Sequence, residues 1–471
     1  MKLQFFDQQV YINRRNILKQ TIGQNGLILL LGNEDSSMNY KDNCYPFRQD
    51  SSFLYYFGLD VAMLAAIIDT DTGEEVIFGN ELSIDDIIWT GTLPSVKEMA
   101  ALVGVSQTSP YTQVVHYIHK AIGSGRKVHI LPPYRPENKI KLSGWLNVSI
   151  DDVADHISLK LIKAVIAQRV IKTPLEIEQM ENAVSISVDM QLAVIKHTRP
   201  GIKEYELVAK AEEAAMAANA RLGYPAIITT HGQTLHTHYY GNTLEDGRMV
   251  LSDIGAENAM HYGGDLTRTF PVGRSFTTRQ KELYEVVLNS MDHAIGMLKP
   301  GVRYKDIHLA ASQKLVEGLK QVNLMKGDAA EAAAEGAHTM FFQCGLGHML
   351  GMDTHDMEDL GEPYVGYTDT LKKESAFGLK SLRLGRELEA GFVLTVEPGI
   401  YIIPELIDRW AAEKKYADFI NYDVLNTYRD FGGIRIEDNF LITETGSHLL
   451  GKYLPKTLNE IEELKGQALF A

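Results

Sequence analysis

The run VLSDIGAENAMHYGGDLTRTFPV, residues 250–272, puts Asp253 at the end of an apolar stretch and Asp265 directly after two glycines. A carboxylate inside such a run is costly to bury unless it is paired or bound to a cation, so each acid needs a partner. Three segments downstream repeat the pattern. GLGHMLGMDTHD, 345–356, sets His348 among glycines; LTVEPGIY, 394–401, holds Glu397 in a β-type run ending at Pro398; GGIRIEDNFLIT, 432–443, places Glu437 among Ile434, Ile436 and Phe440. A salt bridge or a turn cap would account for any one of these acids alone. Taken together, four carboxylates and one imidazole carry about four negative charges, with no equal cluster of Lys and Arg beside them. That is enough to neutralise two divalent cations, and oxygen-rich ligation with a single His suits manganese, cobalt or zinc better than copper or a thiolate metal. Two such ions activate a water between them and polarise a carbonyl, which is hydrolytic chemistry.

Outward from this constellation the chain divides in two. From Gly26 to about Leu131, short β-rich runs (GLILLLG, MLAAIIDT, EEVIFG, KVHILPP) alternate with helical stretches, as in an α/β layer domain. Near residue 173 a long helix is predicted to begin, capped by Thr173 with Pro174 and Glu176 in its first turn. The domains are therefore placed at residues 1–160 and 161–471, an α/β (α+β) organisation. Within the second, LAVIKHTRPGIKEYELVA at 192–209 lies over DHAIGMLKPGVRYKDIHL at 292–309 without a gap, either as a duplication or as two instances of a common helix, Pro-Gly turn, helix connection.

The 471 residues carry 46 Lys+Arg against 61 Asp+Glu, a formal net charge of −15 that would repel a nucleic-acid backbone. With two cysteines, Cys44 and Cys344, neither a disulfide framework nor a thiolate zinc cluster can be built, which fits a reducing compartment. MKLQFFDQQVYINRRNILKQ has no apolar stretch followed by a small-residue cleavage site, and no run is long enough to span a bilayer, so a cytoplasmic protein without membrane contact is expected.

At the five ligand segments the chain resembles the pita-bread metallopeptidases, in particular the subgroup of aminopeptidase P and prolidase. The first half resembles the creatinase/prolidase-like N-terminal domain of that subgroup through FRQDSSFLYYFGLD at 47–60 and IIWTG at 87–91. The resemblance implies two divalent ions, most commonly Mn2+ with Co2+ or Zn2+ possible, held by Asp253, Asp265, His348, Glu397 and Glu437. It implies that Glu397 also takes the proton from the attacking water and that His355 reaches the substrate carbonyl. An upstream histidine is implied too: His236, whose spacing to Asp253 matches the aminopeptidase P pattern, or His238. Arg435 and Tyr401 match positions that orient ligands, against the plainer alternatives of a surface ion pair and a core aromatic. Trp89 matches a residue that closes a neighbouring subunit's site, against a buried core Trp. The implied substrates are peptides with proline at the second position, and the implied assembly is a homodimer or higher homo-oligomer.

Dipeptide and longer-peptide specificity both stay open. Arg383 resembles the arginine that grips a dipeptide's C-terminal carboxylate, with a solvated surface Arg as the alternative, and the insertion at about 402–431 also points to prolidase. The His236 spacing and Trp89 point to aminopeptidase P. An adaptor that has lost catalysis, or a metal-free creatinase type, should have lost the carboxylate set, which this chain keeps. One position departs from the family: Cys344 stands four residues before His348, where a histidine is usual, which puts proline-side recognition in doubt and opens reduced activity or a shifted substrate range.

Overall fold

The strand Gly26–Leu31 (β1) alternates Leu27 and Leu29 on one face with Ile28 and Leu30 on the other, and all four are buried. A strand apolar on both sides needs cover on both sides. In the structure, a computed structural model that describes residues 4–468, β1 lies inside a five-stranded mixed sheet. Its antiparallel neighbour is Ala65–Asp69 (β2), followed by Glu75–Phe78 (β3) and the parallel edge strand Gln107–Ser109 (β4); on its other side runs the parallel strand Lys127–His129 (β5). Leu27, Leu29, Ile67, Val76 and Phe78 form one core with Val114, Ile118 and Ala121 of the helix Val114–Gly123 and Leu142 of Pro136–Leu146. FRQDSSFLYYFG becomes the buried helix Ser51–Phe57, capped by the Asp50 carboxylate on the Phe53 amide and ended by Gly58 at φ 63°.

Contacts divide the chain into two units, the first running to Arg169 and taking in Asp359–Tyr364. In sequence the first domain was closed at residue 160. The contacts carry it on through the helix Leu159–Arg169, which packs along Gln8–Ile22 and buries Leu161, Ile162, Val165 and Ile166.

The second unit opens on the helix Pro174–His197 (α1), with Thr173 and Glu176 forming a reciprocal capping box. Glu204–Ala217 (α2) packs against it, and the same arrangement recurs in Thr278–Gly296 (α3) and Tyr304–Gln321 (α4). The two Pro-Gly turns make matching hydrogen bonds. The Gly201 amide donates to Leu244 O at 2.8 Å and the Leu244 amide to Ile202 O at 2.8 Å; the Gly301 amide donates to Leu388 O at 2.9 Å and the Leu388 amide to Val302 O at 2.9 Å. Each returning segment then leads, five residues on, into a strand: Met249–Ile254 (β6) after Leu244 and Val393–Val396 (β8) after Leu388. A shared helix–turn motif would not reproduce the pairing with a distant segment, so the overlay of 192–209 on 292–309 reflects a repeated structural unit. β6 pairs with Leu266–Pro271 (β7), and β8 with Asp438–Ile442 (β10), while Gly399–Tyr401 pairs with Gly433–Arg435 (β9). Among the described residues no helix is long and apolar enough to cross a membrane.

Candidate metal centre

Each acid singled out in the sequence sits on or beside one of these strands. Asp253 lies on β6, opposite Thr267 of β7, and Asp265 immediately precedes β7. Glu397 follows β8, its amide donating to Leu346 O at 2.7 Å, so the segment bearing His348 is stitched to that strand; the Thr395 amide adds a bond to His348 O at 3.0 Å. Glu437 links β9 to β10, and its amide donates to Thr267 O at 3.0 Å. Both repeated halves thus bring acidic or imidazole side chains to one place.

Asp253, Asp265, His348 and Glu437 are all at least nine-tenths buried. Asp265, His348 and Glu437 each offer a ligand atom within 4.8 Å of the others. Glu397 joins through its Oε1, 3.7 Å from His348 Nε2, which also lies 3.3 Å from Asp265 Oδ2. Asp253 joins through Tyr224, whose hydroxyl stands 2.6 Å from Asp253 Oδ1 and 2.5 Å from Asp265 Oδ1. Arg435, buried, pairs with Asp253 Oδ2, donates to Tyr401 Oη at 2.9 Å and to Thr267 Oγ1 at 3.1 Å; Thr267 in turn donates to Glu437 Oε2 at 2.7 Å. The surface-ion-pair alternative for Arg435 is thereby excluded. Tyr401 is fully buried, yet its hydroxyl works in this network rather than serving only as core packing.

Crowding of charge separates the acids. Burial, then repulsion from Asp265, Glu397 and Asp253, pushes Glu437 well above the usual carboxylate range. Burial, opposed by His348 and Arg435, brings Glu397 up to about 7. Burial also raises Asp253, against the pull of Arg435. For Asp265, burial is outweighed by the bond to His348, which holds it low and the imidazole high. Glu437 Oε1 is buried with no hydrogen-bond partner. An orphaned buried carboxylate oxygen is costly. Among four acids with one buried guanidinium, such an atom fits ligation of a divalent cation, and the oxygen-rich donor set with one imidazole suits a hard to borderline ion.

Around this centre His355 packs edge-on against His348 with ring centroids 4.4 Å apart. Its Nδ1 meets Glu358 Oε2 at 2.5 Å, and Arg383 Nε donates to the same oxygen at 3.3 Å, so Arg383 is not a purely solvated side chain. His236 and His238 are both exposed on the loop before β6. Although the side chain reaches solvent, partial desolvation lowers His236, the Asp253 charge opposing and Arg435 and Arg383 reinforcing, which places it within electrostatic reach of the centre. Cys344 Sγ is 3.8 Å from Tyr401 Oη, its thiol pushed up to about 12 by burial and then by Glu397. Trp89 belongs to the first unit, where it is 86% exposed on the short helix Ile84–Thr90, which excludes a core role.

Sequence inspection missed Tyr224, Thr267, Glu358 and the buried pair of Lys172 Nζ and Asp356 Oδ2, at 2.7 Å. Thr267 had a signal, as one of two threonines alternating in the apolar run LTRTF. Tyr224, in RLGYPAI, had none.

Buried acids with an imidazole, set between two repeated helix–strand halves in a chain that also carries a separate N-terminal α/β unit, define a metal-dependent hydrolase of the pita-bread type. Comparison with known proteins agrees: the profile of metallopeptidase family M24 matches residues 178–444, and that of the aminopeptidase P N-terminal domain matches residues 11–131. The chain belongs to the M24 metallopeptidases. It is 32% identical over 448 residues to the Xaa-Pro dipeptidase of Homo sapiens, covering 93% of this chain and 88% of that one. It is 33% identical over 442 residues to a probable Xaa-Pro aminopeptidase of Botryotinia fuckeliana, with 93% and 92% covered. Among solved structures, Pseudomonas aeruginosa aminopeptidase PepP superposes with a TM-score of 0.81 at 26% identity over 100% of both chains. A zinc-substituted Escherichia coli aminopeptidase P in complex with product gives 0.80 at 26% identity over 99% of both.

Proposed function

We propose that this chain is an Xaa-Pro peptidase, releasing the N-terminal residue that precedes a proline. The observation that carries the proposal is the convergence of Asp253, Asp265, His348, Glu397 and Glu437 in one buried centre, in a chain alike over more than nine-tenths of its length to Xaa-Pro dipeptidases and aminopeptidases.

The five residues would hold two divalent ions, Mn2+ first among the ions that oxygen-rich ligation suits. When bound, the ions supply Lewis acidity at the scissile carbonyl and acidify the attacking water. Glu397, with its Oε1 3.7 Å from His348 Nε2, is placed to accept that water's proton. The proton then goes to the prolyl nitrogen as the C–N bond breaks, which a tertiary amide leaving group requires. His355, its Nδ1–H held by Glu358, donates from Nε2 towards the carbonyl oxygen when the ring takes up a second proton as charge builds there, and His236 serves as the upstream histidine, with His238 beside it. Arg435, anchored on Tyr401, Thr267 and Asp253, keeps the Asp253 carboxylate in place. Trp89, exposed on its helix, is suited to close a neighbouring subunit's site in a homodimer or larger assembly, and the working compartment is the cytoplasm.

A second reading, hydrolysis restricted to Xaa-Pro dipeptides, is favoured by the tie of Arg383 through Glu358 to His355, which sets a carboxylate-binding guanidinium close to the reacting bond. The test is to strip the metal, restore Mn2+ and compare an Xaa-Pro dipeptide with an Xaa-Pro-Yaa-Yaa tetrapeptide. Cleavage of both makes it an aminopeptidase, and cleavage of the dipeptide alone makes it a prolidase. Silence on both in the metal-loaded protein would overturn the proposal.

A further inference from the structure

We propose that Glu358 is a positioning residue that ties the histidine at the scissile carbonyl, His355, to the arginine at the far end of the substrate, Arg383; this rests on the roles just given to those two. One oxygen, Glu358 Oε2, meets His355 Nδ1 at 2.5 Å and Arg383 Nε at 3.3 Å. A carboxylate only accepts hydrogen bonds, so Nδ1 is the ring nitrogen that carries the hydrogen. That fixes the tautomer and ring orientation of His355, as carboxylates do for active-site imidazoles elsewhere. The bond to His355, then the attraction of Arg383, outweighs burial and draws the Glu358 carboxyl down to about 2, so it stays ionised wherever a peptidase works.

Geometry also favours communication along the link. His355 and Glu358 lie on one turn of chain, whereas Arg383 comes from 25 residues further on. Side chains of all three are about one third exposed, at 32%, 38% and 32%, so a peptide can reach the guanidinium without dismantling the link. A substrate carboxylate that docks on Arg383 shifts the share of Oε2 held by the guanidinium, and the share left to His355 changes with it. The chain should therefore turn over substrates that end in a carboxylate just beyond the proline better than the same substrates amidated.

The measurement is kcat and KM of the Mn2+-loaded full chain on an Xaa-Pro dipeptide and on its C-terminal amide, for wild type, Glu358→Ala, Arg383→Ala and the double variant. Wild type is expected to prefer the free carboxylate by tenfold or more in kcat/KM, and either single variant to bring the preference down to within about twofold. The double variant is expected to lose nothing further. Glu358→Gln, which keeps an accepting oxygen on the same stem, guards against a folding defect and is expected to lose part of the preference. In parallel, the 15N shifts of His355 in the metal-free protein are expected to report an Nδ1–H tautomer in wild type and a move towards Nε2–H in Glu358→Ala. An unchanged preference in Glu358→Ala, or an unchanged tautomer, would overturn the proposal. Wild-type silence on all Xaa-Pro substrates would instead count against the peptidase assignment, and the tautomer would then decide the tie by itself.

Discussion

Burial brings the Glu397 carboxyl up to about 7 and drives Glu437 higher, while the bond to His348 holds Asp265 low. Glu397→Gln keeps the shape and removes the base, so turnover on an Xaa-Pro substrate is expected to fall by about 10²- to 10⁴-fold in a protein that still folds. Tyr224 makes a different prediction. Its single hydroxyl hydrogen is shared between Asp253 and Asp265, and Tyr224→Phe frees both carboxylates while keeping the ring. Divalent-ion affinity, read by chelator competition, is expected to weaken by about 10- to 100-fold, with the thermal midpoint of the metal-free protein little changed. Cys344, its thiol pushed up to about 12, stays neutral beside Tyr401, and Cys344→His, which restores a titratable donor there, is expected to raise turnover. At this scale the clustered acids were legible because a carboxylate in an apolar strand contradicts its surroundings. Tyr224 and Glu358 were not, because a tyrosine near a strand or a glutamate in a polar loop contradicts nothing.

The elements that carry these residues are fixed by local chemistry and a few long-range ties. Thr173, Pro174 and Glu176 announced the start of α1, and the capping box forms as those residues require. The loop between His348 and His355 has no such local code. It is held by the fully buried pair of Lys172 and Asp356, which joins residues 184 apart in sequence. Lys172→Met takes this ammonium from the buried Asp356 carboxylate and is expected to cost about 3 to 5 kcal/mol in denaturant unfolding, whereas Lys172→Met with Asp356→Leu should recover much of it. The paired Pro-Gly turns were visible as an overlay in sequence, but the overlay could not separate duplication from a common motif. Matching bonds from Leu244 and Leu388 separate them.

For the whole molecule, pH and metal are the levers. His308 and His338 lie buried against each other with ring centroids 6.2 Å apart. Burial and then mutual repulsion lower His308 from 6.5 to about 3, and burial, against the Ala333 carbonyl, lowers His338 to about 4. The unfolded chain therefore takes up protons at these rings before the folded one does. Their contribution is complete above about pH 6.5 and is lost as pH falls towards 4 and 3, on the order of 2 kcal/mol for each ring by pH 5. His338→Leu should narrow the fall in thermal midpoint between pH 7.5 and pH 5 relative to wild type; an equal fall in both would refute the assignment. Adding Mn2+ at about a hundred times its dissociation constant should stabilise the metal-free protein by about 2.7 kcal/mol for each ion bound, measured in the same unfolding assay.

Residue identity and hydrophobic pattern by themselves determined which acids are out of place in their apolar runs, where α1 begins and that an α/β unit precedes the catalytic half, because burial cost and helix capping act over a few neighbours. Tertiary structure alone decided that helix Leu159–Arg169 belongs with the first unit, that Asp253 and Asp265 share the Tyr224 hydroxyl, and that His355 answers to Arg383 through Glu358. Those contacts join residues far apart in the chain, where the composition of one segment carries no record of what the fold will set beside it.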